Sequence, residues 1–276
     1  MSKDQQIKTL TKKIQSLPTL PHVVDKLTKV VESPESTAKE VGKLIASDQV
    51  LGSKVLKLVN SPFYGFPGRI SSISHAIILL GFNVIKGVVI SASVFDLMER
   101  SMMGLWEHSL GCAVTASTIA RSLKMPDPEE ISTAALLHDI GKVLVKVSLS
   151  DDYDAIISIV EKEKLAFREA EVRVLGVDHA DIGNWLTNEW SLPDKLITPI
   201  TFHHLPEEAP RLKERAAVVH MADSITRAFG VGFGGDPWVP KISRAAWSIL
   251  DMENHDLDAL MRQVMIDLEE VSTFSF

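Results

Sequence analysis

The stretch Ala134-Ala-Leu-Leu-His-Asp-Ile-Gly-Lys142 decides how this chain is read. An apolar helical run leads straight into a histidine and an aspartate. Imidazole and carboxylate are what a first-row divalent metal takes when no thiolate is offered. Five more such donors lie at wide spacings around His138 and Asp139: His108, His179, His203, His204 and Asp223. A run of separate helices could bring all seven groups to one point. The pattern outside the stretch agrees, because alternating strand periodicity is nearly absent. The expected fold class is all-α.

Working outward, the spacing predicts a helix over 129–147 carrying His138-Asp139, closed by the polar run Ser148-Leu-Ser-Asp-Asp152. A helix over 105–123 carries His108. A charged amphipathic helix is expected over 154–170. Asp178 caps a helix starting at His179, with Ile182, Trp185 and Leu186 facing inward. Pro193 sits where a first helical turn tolerates it, and that helix runs to His203-His204. A helix over 213–229 carries Asp223. Gly230-Val-Gly-Phe-Gly-Gly-Asp-Pro237 is the most flexible-looking stretch and reads as a long loop. Helices over 242–250 and 257–271 follow, with Trp238 and Trp247 as expected anchors for packing back onto the body.

Toward the N-terminus, Val23, Val24, Leu27, Val30 and Val31 recur at helical spacing, stopped by Pro34 and Ser36. Thr37-Ala-Lys-Glu40 is a capping box, and Val41, Leu44 and Ile45 supply the apolar face behind it. Asp48 caps a further helix through Leu51, Val55, Leu58 and Val59. Asn60-Ser-Pro-Phe-Tyr-Gly-Phe-Pro-Gly68 is a loop rich in breakers and aromatics. Ser72 or Ser74 caps a helix through Ile77 and Leu80, which Gly81 ends, and Asn83 restarts it. Two lobes are expected, an N-terminal one over 1–100 and a second over 101–235, with residues 236–276 packed on them.

The bulk properties narrow the function. Of 276 residues, 45% are hydrophobic and 24% charged, an ordinary globular balance, and the net charge of -7 does not suit a nucleic-acid scaffold. Cys112 is the only cysteine, so no internal disulfide forms and no Cys-based zinc site is expected. A reducing, cytoplasmic setting fits. Met1-Ser-Lys-Asp-Gln-Gln6 has no apolar run, so no signal peptide is expected. The longest apolar stretch, residues 76–80, is far short of a membrane span. No membrane partner is expected.

Asp139 is the natural bridge between donors, because its two oxygens can serve two cations about 3.5–4 Å apart. His138, Asp139, His108 and Asp223 make one N/O set. His179, His203 and His204, with the other Asp139 oxygen, make a second. A water shared by two cations is acidified toward neutrality and can attack a phosphoryl group. Lys142 could neutralise a phosphate oxygen as charge develops, or could be a solvated lysine favourable to the helix dipole. One or two ions of iron, manganese or zinc suit this cysteine-poor set better than copper. His22, His75 and His255 read as ordinary histidines, and His220, which shares a face with Asp223, as structural.

The chain resembles the HD superfamily of metal-dependent phosphohydrolases and, within it, the HDOD family. Trp106-Glu-His108-Ser, Leu136-Leu-His-Asp-Ile-Gly-Lys142, Asp178-His-Ala-Asp-Ile-Gly183, Ile200-Thr-Phe-His-His204 and His220-Met-Ala-Asp223 carry the HD resemblance. Leu17-Pro-Thr-Leu-Pro21, Ile45-Ala-Ser-Asp-Gln49, Leu58-Val-Asn-Ser-Pro-Phe-Tyr-Gly65 and Ile73-Ser-His-Ala-Ile-Ile-Leu-Leu-Gly81 carry the HDOD resemblance. The resemblance implies an output or adaptor module of bacterial signalling, in a family many of whose members have lost HD ligands. The related HD-GYP proteins hydrolyse cyclic di-GMP at a binuclear site with the pattern His, His-Asp, His, His-His, Asp. All seven positions are matched here. The Gly-Tyr-Pro signature is not, since Leu205-Pro-Glu-Glu-Ala-Pro210 follows the paired histidines.

Two functions are therefore expected to compete. The first is a regulatory module that binds a signalling protein or a nucleotide, with Phe63-Tyr64-Gly65-Phe66 as a recognition surface or, equally, as core plugs. The second is a phosphohydrolase using Asp139 and Lys142. Retained ligands could also act as a structural clamp.

Overall fold

The computed structural model describes Leu10, Val30, residues 37–66 and residues 68–272. Of the helix expected around Val23–Val31, all but Val30 lies outside the described residues, as do the Leu17–Pro21 motif and His22. Among the described residues the chain is helical, with no strand.

The first described helices start where local chemistry says they should. Thr37 and Glu40 form the capping box of α1 (Ala38–Ala46). The Asp48 carboxylate accepts the Val50 and Leu51 amides at the start of α2 (Gln49–Val59). Ser72 caps α3 (Ile73–Ser101), accepting the His75 amide. Gly81 interrupts α3 at φ 81° and ψ 165°, a backbone conformation that suits glycine. Residues 73–95 are long and apolar enough to cross a membrane, yet 67% of the most apolar window is buried inside the protein. The unbroken run of residues 76–80 understates this helix. Two of its polar interruptions, Lys86 and Ser91, are themselves buried, Lys86 with a 3.0 Å bond to the Ser191 carbonyl.

The second group comprises α4 (Leu105–Ser122), α5 (Pro128–Leu137), α6 (Ile140–Ser148), α7 (Ser150–Glu163), α8 (Phe167–Leu175), α9 (His179–Glu189), α10 (Asp194–Phe202) and α11 (Lys213–Ala228), and α12 (Arg244–Ile249) and α13 (Leu257–Ser272) follow it. α3 packs on α1 and α2 and also against α5. α4 lies between α5, α11 and α13.

Several expectations change. The single helix over 129–147 is two, broken at His138-Asp139, where Asp139 takes φ −96° and ψ 9°. Gly141, just after the break, allows a close approach. A Cβ there would sit 2.0 Å from the His179 carbonyl oxygen, so α6 meets α9 at backbone contact. The helix over 154–170 is also two, divided by Lys164 in the left-handed region at φ 59°. The aromatic loop is not a surface. Phe63 and Tyr64 are buried, and the Tyr64 hydroxyl pairs with Thr133 Oγ1 at 3.0 Å. Trp247 packs against the core, whereas Trp238 is 41% exposed and outside the core cluster.

Candidate metal centre

Each donor enters the centre from its own element. α4 carries His108. At the α5–α6 break His138 and Asp139 both lie buried. Asp178 and Asp181 form the capping box that starts α9 and places His179 on its first turn. His203 and His204 end α10, and α11 carries Asp223. Six of the seven are buried, and His204 is half-buried.

The seven do converge. His108 Nε2 lies 3.3 Å from Asp223 Oδ1 and 3.5 Å from Asp139 Oδ2. His138 Nε2 is 3.4 Å from Asp139 Oδ2. On the other side, His179 Nε2 is 3.2 Å from Asp139 Oδ1, 3.4 Å from His203 Nε2 and 2.8 Å from His204 Nε2. Two ligands on one tetrahedral zinc stand about 3.3 Å apart, given metal–ligand bonds of about 2.0–2.1 Å. Most of these separations match. The His179–His204 pair is shorter, a hydrogen bond that an arriving ion must break.

The outer partners orient the rings. His179 Nδ1 donates to Glu171 Oε2 at 2.5 Å, His138 Nδ1 to the Ala135 carbonyl at 2.6 Å and His203 Nδ1 to the Ile200 carbonyl at 2.8 Å. A metal-binding histidine commonly donates its second nitrogen in this way, which leaves the other lone pair aimed inward. His138 Nε2 and Asp139 Oδ1 are buried without a well-aligned hydrogen-bond partner. Orphaned buried acceptors are costly, and a cation would satisfy both. The residues therefore fit one or two divalent ions. Bound there, such an ion would supply Lewis acidity and an acidified water.

Charges follow from the same contacts. Burial opposes ionisation of Asp139, but His138 and Lys142 hold its carboxyl well below the usual range. Burial likewise opposes ionisation of Asp223, and the hydrogen bond and charge of His108 overcome it. Burial works against charge on His179, yet Glu171 lifts its pKa to about 9. Burial, reinforced by neighbouring imidazoles, pushes His203 and His204 well down, so they stay neutral.

Lys142 is neither solvated nor free. Its Nζ donates to Asp139 Oδ2 and to the Gly234 carbonyl, both at 2.7 Å. The glycine-rich loop that looked most flexible is thus the cover of the centre. A Cβ on Gly232 would fall 2.2 Å from the His108 amide nitrogen, and one on Gly234 would fall 3.4 Å from His108 Nε2. Asp236 is buried, pairs with Arg227, and accepts the Phe167 amide at 2.7 Å.

Some contributors were missed from sequence. Glu171 and Phe167 sat inside a charged run with no local mark. Cys112 lies one turn after His108, and its Sγ is 3.6 Å from His108 Nε2. That i, i+4 spacing was the available signal. His220 is structural as expected, donating to the His203 carbonyl at 2.8 Å and accepting the Ser243 amide at 3.0 Å.

Comparison with known proteins places the fold. An HDOD protein of unknown function from Geobacter sulfurreducens superposes with a TM-score of 0.75 at 27% identity, covering 99% of this chain and 98% of that one. A candidate phosphohydrolase from Shewanella amazonensis SB2B superposes with a TM-score of 0.68 at 25% identity, covering 96% and 98%. An uncharacterized protein of Treponema pallidum (strain Nichols) is 25% identical over 226 residues, or 79% of this chain. The chain spans only 44% of that relative's length. The HDOD domain matches residues 17–206, which takes in every candidate donor except Asp223, and the chain belongs to the HDOD domain family.

Proposed function

We propose that this chain is a regulatory output module of bacterial signalling whose His/Asp centre holds one or two divalent ions. The observation that carries this reading is closure. Donors from α4, the α5–α6 break, α9, α10 and α11 meet in a buried centre under the loop of residues 230–237. An ion held there ties five elements together, and its binding free energy becomes folding free energy. The module would act through surfaces set by that clamp, on a signalling protein or on a nucleotide or other phosphoester ligand. The net charge of -7 does not suit a nucleic-acid partner.

The completeness of the donor set favours a second reading, a metal-dependent phosphohydrolase. It requires the loop to lift and Lys142 to leave the Gly234 carbonyl, so that a phosphoester reaches Asp139. Missing the Gly-Tyr-Pro signature, the chain has no mark for cyclic di-GMP.

Elemental analysis of protein purified without chelator or affinity nickel tests both, beside Asp139→Ala. The expected result is bound iron, manganese or zinc, lost in the variant, with no cleavage of a generic phosphodiester such as bis-(p-nitrophenyl) phosphate. Cleavage that the variant abolishes would establish the second reading. Protein that carries no metal and takes none up would overturn both.

A further inference from the structure

Cys112 is fully buried and lies on the same face of α4 as His108. His108, Cys112, His138 and Asp223 each offer one donor atom, and the four atoms lie within 4.8 Å of one another. Bonds of about 2.3 Å to sulfur and 2.0–2.1 Å to nitrogen put S and N about 3.6 Å apart on one tetrahedral ion. Cys112 Sγ and His108 Nε2 are 3.6 Å apart, and His108 Nε2 and Asp223 Oδ1 are 3.3 Å apart.

A second, independent observation points to a ligand. His138 is wholly buried, and its Nε2 has no hydrogen-bond partner. Its Nδ1 is committed to the Ala135 carbonyl, so Nε2 presents a bare lone pair to the cluster. A finished hydrogen-bond network would place a donor there. Asp139 Oδ2 is meanwhile engaged by Lys142 at 2.7 Å, so this oxygen is poorly placed to be the fourth donor.

We propose that Cys112 is a metal ligand, completing a tetrahedral His108/Cys112/His138/Asp223 site beside the His179/His203/His204 group. This rests on the reading of the centre as metal-binding. It replaces the expectation that a single cysteine excludes a thiolate site. On loading, the S–H bond breaks, the sulfur lone pair forms the bond to the ion, and the proton leaves to solvent, with no change of oxidation state. Thiolate ligation favours zinc or ferrous iron over manganese or magnesium. Lys142 keeps its place on Asp139.

Cobalt(II) titrated into metal-free, full-length protein tests this. A near-ultraviolet thiolate-to-cobalt charge-transfer band is expected. Cys112→Ser and Cys112→Ala should lose it while keeping the visible cobalt bands of the histidine group. The chain has one cysteine, so the band in the unmodified protein decides the matter even if both variants misfold. Visible cobalt bands without charge transfer would overturn the role of Cys112 and leave the metal-centre reading standing. No cobalt uptake at all would overturn both.

Discussion

Asp139 stands between two donor groups held in different ways. The His179/His203/His204 group is imidazole only, and Glu171 presses a proton onto His179. The His108/Cys112/His138/Asp223 group mixes nitrogen, sulfur and oxygen, and its His138 Nε2 has no partner. Without an ion, the first group is satisfied by a proton, whereas in the second His108 pairs with Asp223 and His138 Nε2 is left bare. The difference teaches that one cluster can be poised for metal in two ways, by a proton to displace and by a vacant lone pair. Each substitution below should strike one group, both or, as a limit, neither, by a route visible in the contacts.

The largest effect should come from Asp139→Ala, which touches both groups. It also strands Lys142, a buried ammonium whose ion-pair partner is Asp139 at 2.7 Å. Breaking one side of a buried pair costs about 3–5 kcal/mol. Urea denaturation of the metal-free variant should show a loss of that size. Adding Lys142→Met should recover much of it, though not the metal. Equal losses with and without Lys142→Met would show that the pair does not hold the break between α5 and α6.

Glu171→Gln separates the groups. Removing the carboxylate that orients a ligating histidine typically lowers metal affinity about 10–100-fold. The loss should appear in calorimetric titration as one weakened class of site and one unchanged class. The same pair sets a pH dependence. His179 rises from 6.5 to about 9, so its contribution to the metal-free fold is complete below pH 6.5 and is lost as pH rises through about 9. Metal competes with that proton, so uptake by this group should strengthen toward pH 9 and release protons on loading. In Glu171→Gln the alkaline loss should move to lower pH. An unmoved transition would show that Glu171 does not control His179.

Gly111→Ala should strike the other group. A Cβ there would meet Thr226 Cγ2 at 2.7 Å and Val231 Cγ1 at 2.9 Å, forcing α4 away from α11. Overpacking of this kind costs about 1–3 kcal/mol. It also widens the gap between His108 and Cys112 on α4 and Asp223 on α11. Cobalt charge transfer should weaken while the imidazole group keeps its ion. Weakening of both would make the centre one cooperative site.

What was legible in the sequence was local. Thr37 with Glu40, Asp48 and Asp178 mark helix starts through side chains three or fewer residues from the amides they accept. The donors were legible because metal-binding residue types are few. The break at His138-Asp139 was not, since the apolar pattern runs through it and the contact beside it, Gly141 against the His179 carbonyl, is distant in sequence. Nor was the role of residues 230–237. Gly232, which suggests freedom, is there because a side chain would collide with His108 and Gly104. Phe63 and Tyr64 stayed open between surface and core, because the partners that bury them, Ser117 and Thr133, lie far along the chain.

His220 provides the smallest effect and the sharpest limit on the imidazole group. It lies three residues before Asp223 and is buried, as a ligand would be. Its nitrogens are both used: Nδ1 donates to the His203 carbonyl and Nε2 accepts the Ser243 amide. No lone pair remains for an ion. Glutamine can repeat one donation and one acceptance, so His220→Gln should cost no more than about 1 kcal/mol, the worth of one imperfect hydrogen bond. Metal content should be unchanged, because His203 keeps Nδ1 on the Ile200 carbonyl and Nε2 toward His179. Loss of an ion in this variant would make His220 a ligand and end the assignment of three imidazoles to that group.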